Sequence, residues 1–167
     1  MGPNRSASQA IEVNGWTIFA HPLFLGQLES LVAAVEADVK KGKGGTAHMK
    51  VLRGVYHCAF EAIPADPGDA RFRQGNTLGP EYRHWYRAKF GNGRFRLFYR
   101  YRSRARVIVL GWVNDESTLR TRGDRRDAYA EFRRMLQSGN PPDSWDELCE
   151  VAKSAESVQR LEKLRPE

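Results

Sequence analysis

The sequence predicts a small α+β domain in which an antiparallel sheet packs against an N-terminal helical hairpin, with further helices at the C-terminus. Two apolar stripes at helical spacing support this: Leu25, Leu28, Leu31, Val32, Val35 and Val39, then Met49, Leu52, Tyr56, Ala59, Phe60 and Ile63. Three β-prone runs then follow in quick succession, and their links are short enough to force antiparallel hairpins. At 167 residues and 41% hydrophobic, the chain has enough apolar surface for one ordinary core.

Residues 1–11 are polar and without periodicity, so they read as a flexible tail. Trp16 to His21 is a brief β-prone run and the expected first strand. Pro22 suits the first turn of a helix, where no backbone donor is lost, and the cluster Gly42, Gly44, Gly45 ends that helix. Thr46 is placed to cap a second helix that Pro64 stops. A loop rich in Pro, Gly and Asp leads to strands expected over about 83–90, 94–102 and 106–113. The last of these, Val107 to Val113, is apolar throughout, which predicts a central strand covered on both faces. Asp127 to Ser138 reads as a helix ending at Gly139, with Tyr129, Phe132 and Leu136 on one side. Ser144 and Glu147 form a capping box for one terminal helix running to about Leu164. The organisation expected is a tail over 1–11, a domain over 12–140 and a helical extension over 141–167.

Charge is concentrated in one place. From Tyr82 to Arg106, nine Lys or Arg residues interleave with eight aromatics, and no Asp or Glu occurs before Asp115. That segment carries +9 in a chain whose net charge is +7, so the remainder is slightly acidic. Alternation along strands puts Arg83, Trp85, Arg87 and Lys89 on one face, and Arg96, Phe98, Arg100 and Arg102 on the matching face of the next strand. Like charges opposite one another across strands repel, so a solvated face usually mixes signs. A face this biased points to a polyanionic partner, and its aromatics favour single-stranded nucleic acid or RNA. Arg83, Trp85, Arg94, Arg100 and Arg102 are the RNA-binding candidates.

Composition also excludes. The N-terminus lacks the apolar core of a signal peptide, and no run approaches the roughly 18 apolar residues of a membrane span, so the expectation is a cytoplasmic protein that does not enter a membrane. Cys58 and Cys149 lie far apart without ligand spacing and read as packed thiols. The histidines His21, His48, His57 and His84 show no HExxH-like pattern, so neither a metal nor another cofactor is expected.

Several motifs resemble the YhaV toxin family, a branch of the RelE-like toxins of bacterial toxin-antitoxin pairs. They are WTIFAHPLF at 16–24, RQGNTLG at 73–79, HWYRAKF at 84–90, FRLFYRY at 95–101, IVLGWVNDEST at 108–118, and DAYAEFRRML with GNPPDSWDEL over 127–148. The resemblance spans about residues 12 to 150 and implies a RelE-like fold. It also implies an mRNA-cutting, metal-independent endoribonuclease that inhibits translation, with or without the ribosome as platform. The implied partner is a PrlF-like antitoxin, through which alone the toxin would meet operator DNA. By the family pattern, the basic pair on one strand resembles Arg87 and Lys89, the next-strand arginine Arg96, and the helix tyrosine Tyr129. A further arginine falls on Arg120, in Ser-Thr-Leu-Arg, or on Arg122, with Arg120 preferred.

The chemistry implied needs a base for the ribose 2′-hydroxyl, an acid for the departing 5′-oxygen, and positive charge around the phosphorane. Arginine is always protonated and suits the last of these. Lys89 and Tyr129 are the candidate bases. His84 is the alternative, although a regular strand would point it away from Arg87 and Lys89. Asn114, Asp115 and Glu116 are expected to make a turn with helix-capping side chains, or else one of the two carboxylates orients an arginine or contacts a base. Trp112 is expected in the core. Competing readings are a non-catalytic RNA- or ribosome-binding module and a DNA-bound corepressor acting with the antitoxin.

Overall fold

The computed structural model describes residues 9–115, 118 and 127–166. Its strands are β1 (Ile11–Val13), β2 (Trp16–Ala20), β3 (Tyr86–Phe90), β4 (Phe95–Arg102) and β5 (Val107–Val113), in the spatial order β1-β2-β5-β4-β3. The helices are α1 (Pro22–Lys40), α2 (Ala47–His57), α3 (Ala128–Ser138), α4 (Trp145–Ala152) and α5 (Ala155–Leu164). No helix among the described residues is long and apolar enough to cross a membrane.

The sheet is mixed, where an antiparallel one was expected. β2 runs parallel to β5 because α1, α2 and the β3–β4 hairpin all intervene before the chain returns beside it. Two strands precede the helical hairpin, where one was expected. Asn14 and Gly15, with φ of 53° and 79°, close a β1–β2 hairpin that pairs Ile11 with Ile18, so Ile11 lies in the sheet instead of ending a tail. β5 is central and buried at all seven positions, as its composition predicts.

Helices cover both faces. On one side Phe24, Leu25 and Leu28 of α1, Val55 of α2 and Leu161 of α5 pack with Ile18, Leu97, Tyr99, Ile108 and Leu110. On the other, Phe132 and Leu136 of α3 and Leu148 and Ala152 of α4 pack with Trp85, Phe98, Val109 and Trp112. The single terminal helix expected after Ser144 is two helices. Ser154 accepts a hydrogen bond from the Ser157 amide (3.1 Å) and caps a new start. That break lets α4 and α5 serve opposite faces.

One irregularity shapes the sheet beside the site. Pairing steps from Phe98–Trp112 to Tyr99–Leu110, leaving Gly111 as a bulge that exchanges the faces of Trp112 and Val113. A Cβ on Gly111 would lie 2.8 Å from Cζ3 of Trp85, so glycine is what admits that indole.

His21 joins β2 to α1, its Nδ1 accepting from the Leu23 amide (3.0 Å). Burial holds its imidazole at about 4, below the ordinary 6.5. The unfolded chain therefore takes up a proton at higher pH than the folded one. Stability is complete above about pH 6.5 and declines as the pH falls toward 4. His21→Asn retains a capping acceptor without this titration. Urea midpoints measured at pH 7 and pH 5 are expected to drop less for the variant than for the wild type.

Candidate active site

The β3–β4 register sets Arg87 opposite Phe98 and Lys89 opposite Arg96, so the three cations share one face, as strand parity predicts. Helix α3 lies over that face. Asp127 caps it, accepting from the Tyr129 amide (3.1 Å), and this holds Tyr129 in the first turn. The Tyr129 hydroxyl oxygen then accepts from Nε of Arg87 (2.8 Å) and from Nε of Arg96 (3.0 Å). The guanidinium carbon of Arg96 also stands 5.4 Å from the centre of the tyrosine ring.

Backbone carbonyls complete the orientation. Arg87 Nη1 donates to the Arg71 carbonyl (2.8 Å), and Arg96 Nη1 donates to that of Gly93. Arg87 and Arg96 are only 9% and 6% exposed, yet among the described residues neither is bonded to a carboxylate. Removing guanidinium from water is costly, and here directed oxygen acceptors offset it instead of an anion. Among the described residues, Nη2 of each has no acceptor, which leaves donors for an oxyanion. Lys89 is exposed beside them.

Asn114, 2% exposed, anchors the strand end. Its Oδ1 accepts from the Arg96 amide (2.6 Å), and its Nδ2 donates to the carbonyls of Arg94 (3.1 Å) and Thr118 (2.9 Å). The side chain thus fixes the backbone of the site arginine, a role expected of a neighbouring carboxylate and filled by this amide instead. Asp115 forms a local turn with Thr118 (3.1 Å), and Glu116 lies outside the described residues.

Several expected site residues are elsewhere. The cationic face is only partly open, because the Tyr129, Phe132 and Leu136 stripe of α3 covers part of it and leaves Lys89 and Arg102 exposed. Trp85 is fully buried, edge-on to Phe132 at 5.0 Å, and bonds through Nε1 to Asp143 Oδ1 (2.8 Å), so it has no face to offer a base. Arg100 is 9% exposed, lies between the rings of Trp85 and Trp145 at 5.8 and 5.4 Å, and donates to the Asp143 carbonyl. Burial lowers its pKa from the ordinary guanidinium value. These two are packing residues rather than RNA contacts. Asp143 was not singled out from the sequence, and it also takes His84 Nε2 at 2.6 Å. Regular pairing of β3 starts only at Tyr86, so His84 is directed by Asp143 rather than by strand parity. Trp112 is core, as expected.

Arg83, Arg94 and Arg102 are exposed. Arg83 bonds to Asn76 (2.6 Å), and Arg102 lies over Trp145 at 4.9 Å. Arg120 and Arg122 fall outside the described residues.

An α+β domain carrying oriented guanidinium groups with donors in reserve, next to an exposed lysine, is of the class equipped to hold an oxyanion. The YhaV toxin family, described as a toxin with endonuclease activity, of toxin-antitoxin system, matches residues 18–153, and the chain belongs to it. It is 45% identical over 144 residues to Toxin YhaV of Escherichia coli O6:H1 (strain CFT073), covering 83% of this chain and 92% of that protein. It is also 45% identical over 142 residues to Ribonuclease toxin YhaV of Escherichia coli strain K12, covering 81% of this chain and 91% of that one. No solved structure matches the chain significantly.

Tyr129→Phe removes the shared acceptor and leaves two buried Nε donors unsatisfied. The variant is expected to fold but to lose about 1–3 kcal/mol of stability, read from urea denaturation.

Proposed function

We propose that this toxin is an endoribonuclease that cuts mRNA by attack of a ribose 2′-hydroxyl on the adjacent phosphate. The new bond joins O2′ to phosphorus and the bond to O5′ breaks, leaving a 2′,3′-cyclic or 3′-phosphate and a 5′-hydroxyl. The 2′ proton passes to a base, and O5′ receives one from an acid. The observation that carries this reading is the convergence of the Arg87 and Arg96 Nε donors on the Tyr129 oxygen, with both Nη2 groups, among the described residues, left without an acceptor. Two fixed cations at one point supply the charge stabilisation that the phosphorane requires, the part a metal ion plays in other nucleases.

In this scheme Arg87 and Arg96 clamp the phosphoryl oxygens. Lys89, exposed and opposite Arg96, sits where it can exchange a proton with solvent or substrate. Tyr129 has its oxygen at the point between the guanidiniums and is placed to relay the 2′ proton, accepting it at Oη as its own hydroxyl proton passes on to solvent. Arg120, or failing it Arg122, belongs to the segment linking Asn114, bonded to the Arg96 amide, with Asp127, which caps the Tyr129 helix. The relative named a ribonuclease toxin supports RNA as the substrate. We assign the antitoxin to the PrlF-like type, as the motif resemblance implies, with DNA contacted only through it.

Purified protein is expected to cut RNA in EDTA, on or off ribosomes, and to leave 5′-hydroxyl ends. Intact RNA under both conditions, from a folded sample, would contradict the reading. Arg96→Lys keeps the charge but loses the fork, so cleavage should slow by about 100-fold or more, with antitoxin binding unchanged in a pull-down.

A further inference from the structure

The turn that orients Arg96 also walls a second feature. Between the first turns of α2 and the β3–β4 turn lies a cleft of about 520 Å³, lined in part by Lys50, Val51, Phe90, Asn92, Arg94 and Phe95. Its volume is in the range of small-molecule sites. Lys50 and Arg94 are its charged lining residues, both exposed, and no acidic residue lines it. Its floor is aromatic: the Phe90 and Phe95 rings stack with centres 5.3 Å apart and planes 17° from parallel, and both are half-buried.

The surrounding chain holds that floor in place. Phe90 lies against Gly54 of α2, where a Cβ would come within 2.4 Å of the ring. Gly91, at φ of +61°, presses on Phe95, and a Cβ there would approach to 2.8 Å. Gly91, Asn92 and Gly93 are all in the left-handed region, so the turn has a fixed shape, and its Gly93 carbonyl receives Arg96 Nη1. Phe90 pairs with Phe95 one rung from Lys89 with Arg96. The cleft therefore opens at the end of the sheet within one residue of the phosphate-clamping cations, on the opposite face.

We propose that this cleft is a nucleobase subsite for the RNA strand cut at the neighbouring cluster. A base flanking the scissile phosphate stacks on the Phe90–Phe95 pair, while Lys50 and Arg94 take adjoining phosphates. The inference rests on the ribonuclease reading. It explains why paired aromatics remain half-exposed at the turn, with the two exposed cations Lys50 and Arg94 beside them. Stacking on an aromatic side chain tolerates any base, so the subsite governs how tightly the strand is held more than which base it carries.

The test is a double-mutant cycle between protein and substrate, using a short RNA that the wild type cuts at one bond. Phe95→Leu should raise KM about tenfold with little change in kcat. One abasic nucleotide, scanned through the positions flanking the cut, should impose a similar loss on the wild type and almost none on Phe95→Leu. Additive losses at every position, or an unchanged KM in a variant of wild-type urea midpoint, overturn the subsite while leaving the ribonuclease reading intact. If Phe95→Leu does not fold, Lys50→Gln with Arg94→Gln carries the test. That pair should raise KM several-fold and flatten its dependence on salt, and an unchanged KM and salt slope overturn the proposal. Weakened antitoxin binding with unchanged RNA constants also overturns it, in favour of a protein-docking surface. A wild type that cuts no RNA removes both readings.

Discussion

The site depends on one oxygen atom. The Tyr129 hydroxyl accepts from two guanidiniums that arise on different strands, and it is carried by a helix on top of the sheet. Without that acceptor, two cations less than a tenth exposed would face each other with backbone carbonyls as their only bonded partners among the described residues. Like charges held together in a shielded place repel strongly, and the energy that restrains them must come from the surrounding fold. Here it comes from the aromatic packing of α3: Phe132 stacks on Phe98 at 4.4 Å and on Trp112 at 5.6 Å. The hydrophobic contact between helix and sheet is therefore also what keeps the cationic cluster assembled.

Support for the cluster extends along the chain on both sides. Asn114 fixes the Arg96 backbone at the sheet end, the Gly93 carbonyl fixes its guanidinium, and Arg71 in the preceding loop fixes that of Arg87. Asp143, further on, ties His84 and Trp85 together and supports the neighbouring packing through Arg100. The basic segment thus divides into three jobs. Arg87 and Arg96 are oriented within the cluster, Arg100 is consumed in packing between indoles, and Arg83, Lys89, Arg94, Arg102, Arg104 and Arg106 remain at the surface, where they raise the local potential for a polyanion.

Much of this was legible in the sequence, and what was missed has physical causes. Period-two alternation correctly placed Arg87, Lys89 and Arg96 on one face, because strand geometry leaves no other choice. Alternation says nothing about what covers a face. The α3 stripe of Tyr129, Phe132 and Leu136 is legible in the sequence but its target is not, so the sequence alone presents the cationic face as open to RNA, with Trp85 and Arg100 among its contacts. Their burial follows from Asp143, 58 residues from Trp85 in sequence, a separation that local patterns do not encode. Asn14-Gly15 was a readable hairpin signal hidden by the polar tail before it. Gly111 offered no local sign that an indole would need its missing side chain.

The central claim is that the Arg87–Tyr129–Arg96 cluster promotes attack by the ribose 2′-hydroxyl of the substrate itself. The most direct measurement uses an RNA with one 2′-deoxy nucleotide immediately 5′ of the cut bond. Cleavage at that bond is expected to disappear while binding affinity stays near that of the all-ribose strand. Cleavage at an undiminished rate would contradict it, since the attacking oxygen would then have to come from elsewhere.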